Sequence, residues 1–79
     1  MPHVIVKLYP GRSEEQKIKL TDAIVKNVAA IACCDENSVS VAFEEIEKED
    51  WAEKVYRPDI LGKQENLYKK PGYNPFEQP

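Results

Sequence analysis

The residue with the most chemical potential stands second in the chain. Met1 is followed by Pro2, and a small residue in that place is the ordinary condition for removal of the initiator methionine. Removal leaves Pro2 as an N-terminal secondary amine. A free α-amino group ionises at about 7.7–8.0, closer to neutrality than any lysine. A prolyl amine starts out more basic, but an apolar pocket and a nearby cation both disfavour its protonated form and move it toward neutral. An amine so placed can take a proton from carbon next to a carbonyl and return it elsewhere. The plainer role for Pro2 is to begin an edge strand, where its missing N–H costs nothing.

Other chemistry is thinly represented. His3 is the single histidine and stands close to the start of a strand, so a Ser-His-Asp arrangement is not a plausible reading, and it reads as a surface or packing residue. Cys33 and Cys34 are adjacent. Sequence neighbours do not readily reach disulfide geometry, and no further Cys or His pair exists to complete a zinc site. They read as a structural thiol pair near a helix end, in keeping with a reducing compartment. Gly11, Gly62 and Gly72 are scattered, so no phosphate-cradling loop is present. Glu44, Glu45, Glu47, Glu49 and Asp50 look like a solvated rim after a strand.

The elements that must position Pro2 follow from periodicity. Val4, Val6 and Leu8 alternate within residues 3–9, a strand whose Ile5 suggests at least partial cover on the second face. Pro10-Gly11 is a turn. Ser13-Glu14-Glu15-Gln16 forms a capping box, and Leu20, Ile24, Val28 and Ile31 then lay an apolar stripe along a helix of about 20 residues. That helix should end near Cys33. Val39, Val41 and Phe43 return to period two in a second strand over 38–46. The result is a β-α-β unit with parallel strands and a right-handed crossover. Further on, Asp50 can cap a short helix bearing Trp51, Ala52 and Val55. Arg57-Pro58 should interrupt it, and a second helix should carry Ile60, Leu61, Gln64 and Leu67. Residues 71–79 should form an irregular tail.

Seventy-nine residues make a single domain, since domains commonly run to about 100–150 residues. Eleven Lys and Arg against 14 Asp and Glu give a net charge of −3, which offers no basic footprint for nucleic acid or an anionic membrane. No apolar run approaches a membrane span and no signal peptide opens the chain, so the expected location is the cytoplasm. Two strands do not make a stable open sheet alone. Self-association is therefore expected on area grounds.

Pro2 opening a short strand, then Pro10-Gly11-Arg12-Ser13-Glu14-Glu15-Gln16-Lys17 leading into a helix, then Ser38-Val39-Ser40-Val41, resembles the 4-oxalocrotonate tautomerase family. The resemblance runs over residues 2–51. The ending, Tyr68-Lys69-Lys70-Pro71-Gly72-Tyr73, is similar to a longer-tailed branch that includes a bacterial tautomerase of phenylenolpyruvate-type substrates. It implies an α/β (α+β) β-α-β protomer with short C-terminal helices, assembled as dimers or trimers of dimers, with no metal or organic cofactor. The resemblance implies that Pro2 is general base then general acid, that Arg12 binds a substrate carboxylate and that Trp51 walls the pocket. A guanidinium fork suits a 2-oxo acid carboxylate and keeps its charge. The prototype's second arginine, in strand two, is replaced by Ser40, which points to a monocarboxylate with an apolar or aromatic tail.

Two readings follow. One is a tautomerase that interconverts enol and keto forms of a 2-oxo acid, as a homodimer in preference to a hexamer because the long C-terminal half can cover the surface through which dimers associate. The other is a non-catalytic homo-oligomeric binding or structural module of the same fold, with Met1 retained. Dehalogenase or hydratase chemistry would use the same amine, but the extra carboxylate it calls for is not evident.

Overall fold

A computed structural model describes residues 1–77; Gln78 and Pro79 of the expected tail lie outside the described residues. The chain groups into two compact units, Met1–Glu45 and the part from Ile46 onward, which are taken in turn.

In the first unit, strand β1 (His3–Leu8) leads through a turn to helix α1 (Glu14–Ala32) and back to strand β2 (Ser40–Glu45). The turn uses Gly11 at φ 122°, a left-handed conformation that costs glycine little and other residues more. Helix α1 starts as the sequence indicates. Gln16 N–H donates to Ser13 Oγ at 3.1 Å, and Ser13 N–H donates to Gln16 Oε1 at 2.8 Å. Glu14 and Glu15 in the first turn complement the helix dipole. The helix closes on Cys33, a non-glycine residue at φ 59°, while Cys34 N–H reaches the Ala29 carbonyl at 3.0 Å. Both cysteines are free thiols.

The two strands are parallel, with Cα partners running from His3 and Ser40 to Leu8 and Glu45. β2 begins later than the expected residue 38, because Asp35 caps a single 3₁₀ turn at Glu36–Ser38 by accepting from Asn37 N–H. The register sets Val4 against Val41 and Val6 against Phe43, all four half-buried. Ile5, on the other face, is 48% exposed, so cover for that face is not supplied within this unit.

The apolar stripe of α1 is also placed differently from expectation. Ile24 and Val28 are half-buried together with Lys17, Thr21 and Val25, whereas Leu20 is exposed and Ile31 is 82% exposed. Ile18, on the opposite flank, is 65% exposed. At about 100° per residue the apolar arc of α1 is wide, and a two-stranded sheet with strands about 4.8 Å apart is too narrow to cover it. No described residue of this unit is buried; the buried apolar residues are Val55 and Tyr56 of the second unit.

The second unit differs from expectation in how its helices start, continue and divide. After a 3₁₀ turn at Lys48–Asp50, a single wide-wound helix runs continuously over Ala52–Leu61 with Pro58 inside it. Asp50 does not cap it; its carboxylate meets Lys54 Nζ at 3.5 Å. An α-helical register would drive the Pro58 ring against the Lys54 carbonyl. The helix instead winds with bonds five residues apart, the last from Gly62 N–H to the Arg57 carbonyl at 2.9 Å. Gly62 is required by close approach, since a Cβ there would lie 2.6 Å from the Pro58 carbonyl oxygen. A further 3₁₀ turn spans Gln64–Asn66.

Residues 71–77 hold no helix or strand, yet they are stitched to the wide helix. Buried Tyr56 donates its hydroxyl proton to the Tyr73 carbonyl at 3.0 Å and stacks obliquely on the Tyr73 ring at 5.5 Å. Phe76 meets Tyr56 edge-on at 5.9 Å, and the Arg57 guanidinium lies 4.4 Å over the Phe76 ring. Arg57 is itself held by both carboxylate oxygens of Glu53, at 2.9 and 3.0 Å.

Candidate active site

Pro2 sits at the head of β1, half-buried, and its carbonyl accepts from Ser40 N–H at 3.1 Å. The parallel ladder thus extends one residue beyond the strand and fixes Pro2 against the start of β2. Met1 is fully exposed, at 102% of its reference area, so its removal would cost no packing. Ser40 and His3 are register partners, and the Ser40 Oγ and His3 Nδ1 are hydrogen-bonded at 2.6 Å. The structure therefore gathers Pro2, His3 and Ser40 at one end of the sheet.

Arg12 is not among them. It follows β1 at the far end, beyond the Pro10-Gly11 turn. Six strand residues span about 20 Å at 3.3 Å each, which an arginine side chain cannot cross. Lys17 shares the Arg12 end, but its charge is committed: hydrogen bonds from Nζ to Glu14 and Glu45, at 2.8 and 3.3 Å, raise its pKa above the ordinary 10.5. Arg12 is exposed and has no ion-pair partner among the described residues. It is a fixed cation available to an outside anion.

Trp51 belongs to the second unit. Its indole N–H donates to the Tyr73 hydroxyl at 2.7 Å, which helps to orient the ring. The four residues expected along one helix side, Ile60, Leu61, Gln64 and Leu67, converge on a hollow of about 230 Å³ with Tyr56 and Lys70, although they do not share one helix. No group of three or more His, Cys, Asp or Glu among the described residues is arranged to hold a metal. Nor is any described helix long and apolar enough to cross a membrane.

The β-α-β core and its proline-led first strand match a known family profile, described as tautomerase enzyme, over residues 2–56. The chain belongs to the tautomerase family. A probable tautomerase from Xylella fastidiosa is 40% identical over 79 residues, covering 100% of this chain and 96% of the relative. Tautomerase PptA from an Enterobacter species is 37% identical over 75 residues, covering 94% and 99%. A solved structure of apo unfused 4-OT superposes with a TM-score of 0.60 at 26% identity, over 62% of this chain and 80% of its own. YwhB, a homologue of 4-oxalocrotonate tautomerase, gives 0.58 at 34% identity, over 60% and 77%. The β-α-β fold is thus that of 4-oxalocrotonate tautomerase-like structures, and the protein is an enzyme of the isomerase class, a tautomerase.

Within this tautomerase the sequence reading set His3 aside. The signal that could have retrieved it is the pairing register, which puts residue 3 opposite residue 40 and so joins the single histidine to the serine beside Pro2. That register is a property of two strands 37 positions apart and is not written in either strand alone.

Proposed function

We propose that this tautomerase interconverts enol and keto forms of a 2-oxo acid, a monocarboxylate with an apolar or aromatic tail. Once Met1 is removed, the Pro2 amine takes the proton from the enol oxygen and delivers it to carbon, acting as base and then as acid. Arg12 binds the carboxylate through its guanidinium fork. Ser40 contacts the substrate near Pro2, and Trp51 supplies an apolar wall that excludes water. The chemistry needs no metal or organic cofactor. The observation that carries the reading is Pro2 itself: it stands immediately before β1 and opens the family match, fixed by the Ser40 N–H bond to its carbonyl.

The length of β1 supports a site assembled from more than one copy. With Pro2 and Arg12 at opposite ends of β1, a site holding both takes Arg12 from a second copy. The exposed Ile5 face and the uncovered flanks of α1 supply apolar surface for that association. A homodimer is favoured over a hexamer, and the location is cytoplasmic. The partners are the small-molecule substrate and further copies of the chain, with neither nucleic acid nor membrane involved.

The test is phenylenolpyruvate ketonisation followed by ultraviolet absorbance, on protein shown by intact mass to begin at Pro2. The expected result is a rapid reaction that slows by about 100-fold or more in Pro2→Ala. A rate no faster than buffer, with other 2-oxo acids equally inert, would replace this reading with a non-catalytic binding or structural module.

A further inference from the structure

At residue 40, where the family resemblance implies a cation, this chain carries a serine whose backbone is tied to Pro2. A neutral hydroxyl is a weaker partner for developing negative charge, and it has a single proton to give. If that proton goes to a neighbouring acceptor, none is left for a ligand. The side chain that decides the matter is the one hydrogen-bonded to it. His3 Nδ1 and Ser40 Oγ are 2.6 Å apart, a short contact between residues directly paired in the ladder. Both residues are exposed, so a hydroxyl proton turned away from His3 is open to a ligand. Ser40 is at the same time bonded through its backbone N–H to the Pro2 carbonyl.

We propose that His3 is a positioning residue: its Nδ1–H donates to Ser40 Oγ, which frees the Ser40 hydroxyl proton to hydrogen-bond the substrate oxygen that bears enolate charge. This rests on the Pro2 reading above. In ketonisation the enol O–H bond breaks with its proton passing to the Pro2 nitrogen. The oxygen lone pair re-forms C=O as the C=C pair takes the same proton from the Pro2 ammonium to make a C–H bond. No proton is gained or lost at Ser40 or His3. Ser40 serves only while charge sits on oxygen, so its bond is stronger in the transition state than in the substrate complex and acts on kcat. Polarisation of Oγ by the Nδ1–H donor strengthens the outgoing bond.

The experiment compares kcat and KM for phenylenolpyruvate in Ser40→Ala, His3→Phe, the double variant and His3→Asn, with Pro2→Ala alongside. All are begun at Pro2 or its replacement and checked for folding by circular dichroism. Ser40→Ala should lower kcat by about 100-fold with little change in KM, in the range seen when one oxyanion donor is removed. His3→Phe should lower kcat by about tenfold and add almost nothing in the Ser40→Ala background, because it acts only through that hydroxyl. His3→Asn, whose amide N–H can replace Nδ1–H, should recover most of the loss. An unchanged kcat in Ser40→Ala, or independent multiplication of the two effects, would overturn the proposal. If those variants are unaffected while Pro2→Ala is slow, this inference alone falls. If Pro2→Ala is also as fast as the parent, the Pro2 reading falls with it.

Discussion

The separation of Pro2 from Arg12 makes a quantitative prediction about mixed oligomers. Each residue can be removed in a different chain: Pro2→Ala in one preparation and Arg12→Ala in another. Arg12→Ala should lose a charge-assisted bidentate contact of about 1.5–3 kcal/mol, a drop of about 10- to 150-fold in kcat/KM. Both preparations are then weak when assayed separately. Dissociated and reassembled in equal amounts, they form composite sites by chance. A site is intact when its proline comes from an Arg12→Ala chain and its arginine from a Pro2→Ala chain, each with a probability of about one half, which restores about a quarter of wild-type activity in any closed homo-oligomer. Phenylenolpyruvate ketonisation at low substrate reads the recovery, and native mass spectrometry verifies that the chains have mixed. The roughly 20 Å of β1 that separates the two residues is what the quarter rests on. Activity no greater than the mean of the separate preparations, in demonstrably mixed oligomers, would refute the composite site.

Three further outcomes follow from the second unit. Gly62→Ala brings a Cβ to 2.6 Å from a backbone oxygen, and the clash should lower stability by about 1–3 kcal/mol, read from the denaturant midpoint. Tyr73→Phe removes the acceptor of the Trp51 indole N–H; it should cost about 1 kcal/mol and alter tryptophan fluorescence. Glu53 has its pKa lowered from the ordinary 4.5 by the hydrogen bond from Arg57. Its contribution to stability is therefore present above 4.5 and lost as pH falls through the lower folded value. A fall in unfolding midpoint below that pH, shallower in Glu53→Gln, is the expected result.

Local rules made much of the fold legible. The Ser13 to Gln16 capping box and the period-two runs around Val4 and Val41 each rest on a few neighbouring residues, and the start of α1 and the existence of both strands follow from them. What could not be read depends on quantities the sequence does not express locally. The stripe through Leu20 and Ile31 was placed by hydrophobicity, but a two-stranded sheet is narrower than the apolar arc, so both residues remain exposed. Pro58 signals a break under α-helical geometry, and only a wider winding lets the helix continue through it. Pro2, Arg12, Ser40 and Trp51 were legible as chemical types. Their distribution between the two ends of β1 and a second unit was not, because it depends on element lengths, and the link from Ser40 to His3 depends on register.

The central claim is that a free prolyl nitrogen does the proton transfer. Pro2→Ala leaves a primary amine in place, so the most direct measurement varies the nitrogen's bonding and not the side chain. The same protein should be prepared in two forms verified by intact mass, one beginning at Pro2 and the other retaining Met1, whose exposed position makes either form structurally admissible. The nitrogen is an amine in the first and a non-basic amide in the second. Rapid ketonisation by the Pro2-starting form, with buffer-level rates when Met1 is retained, is the predicted result. Equal rates in the two forms would contradict the account.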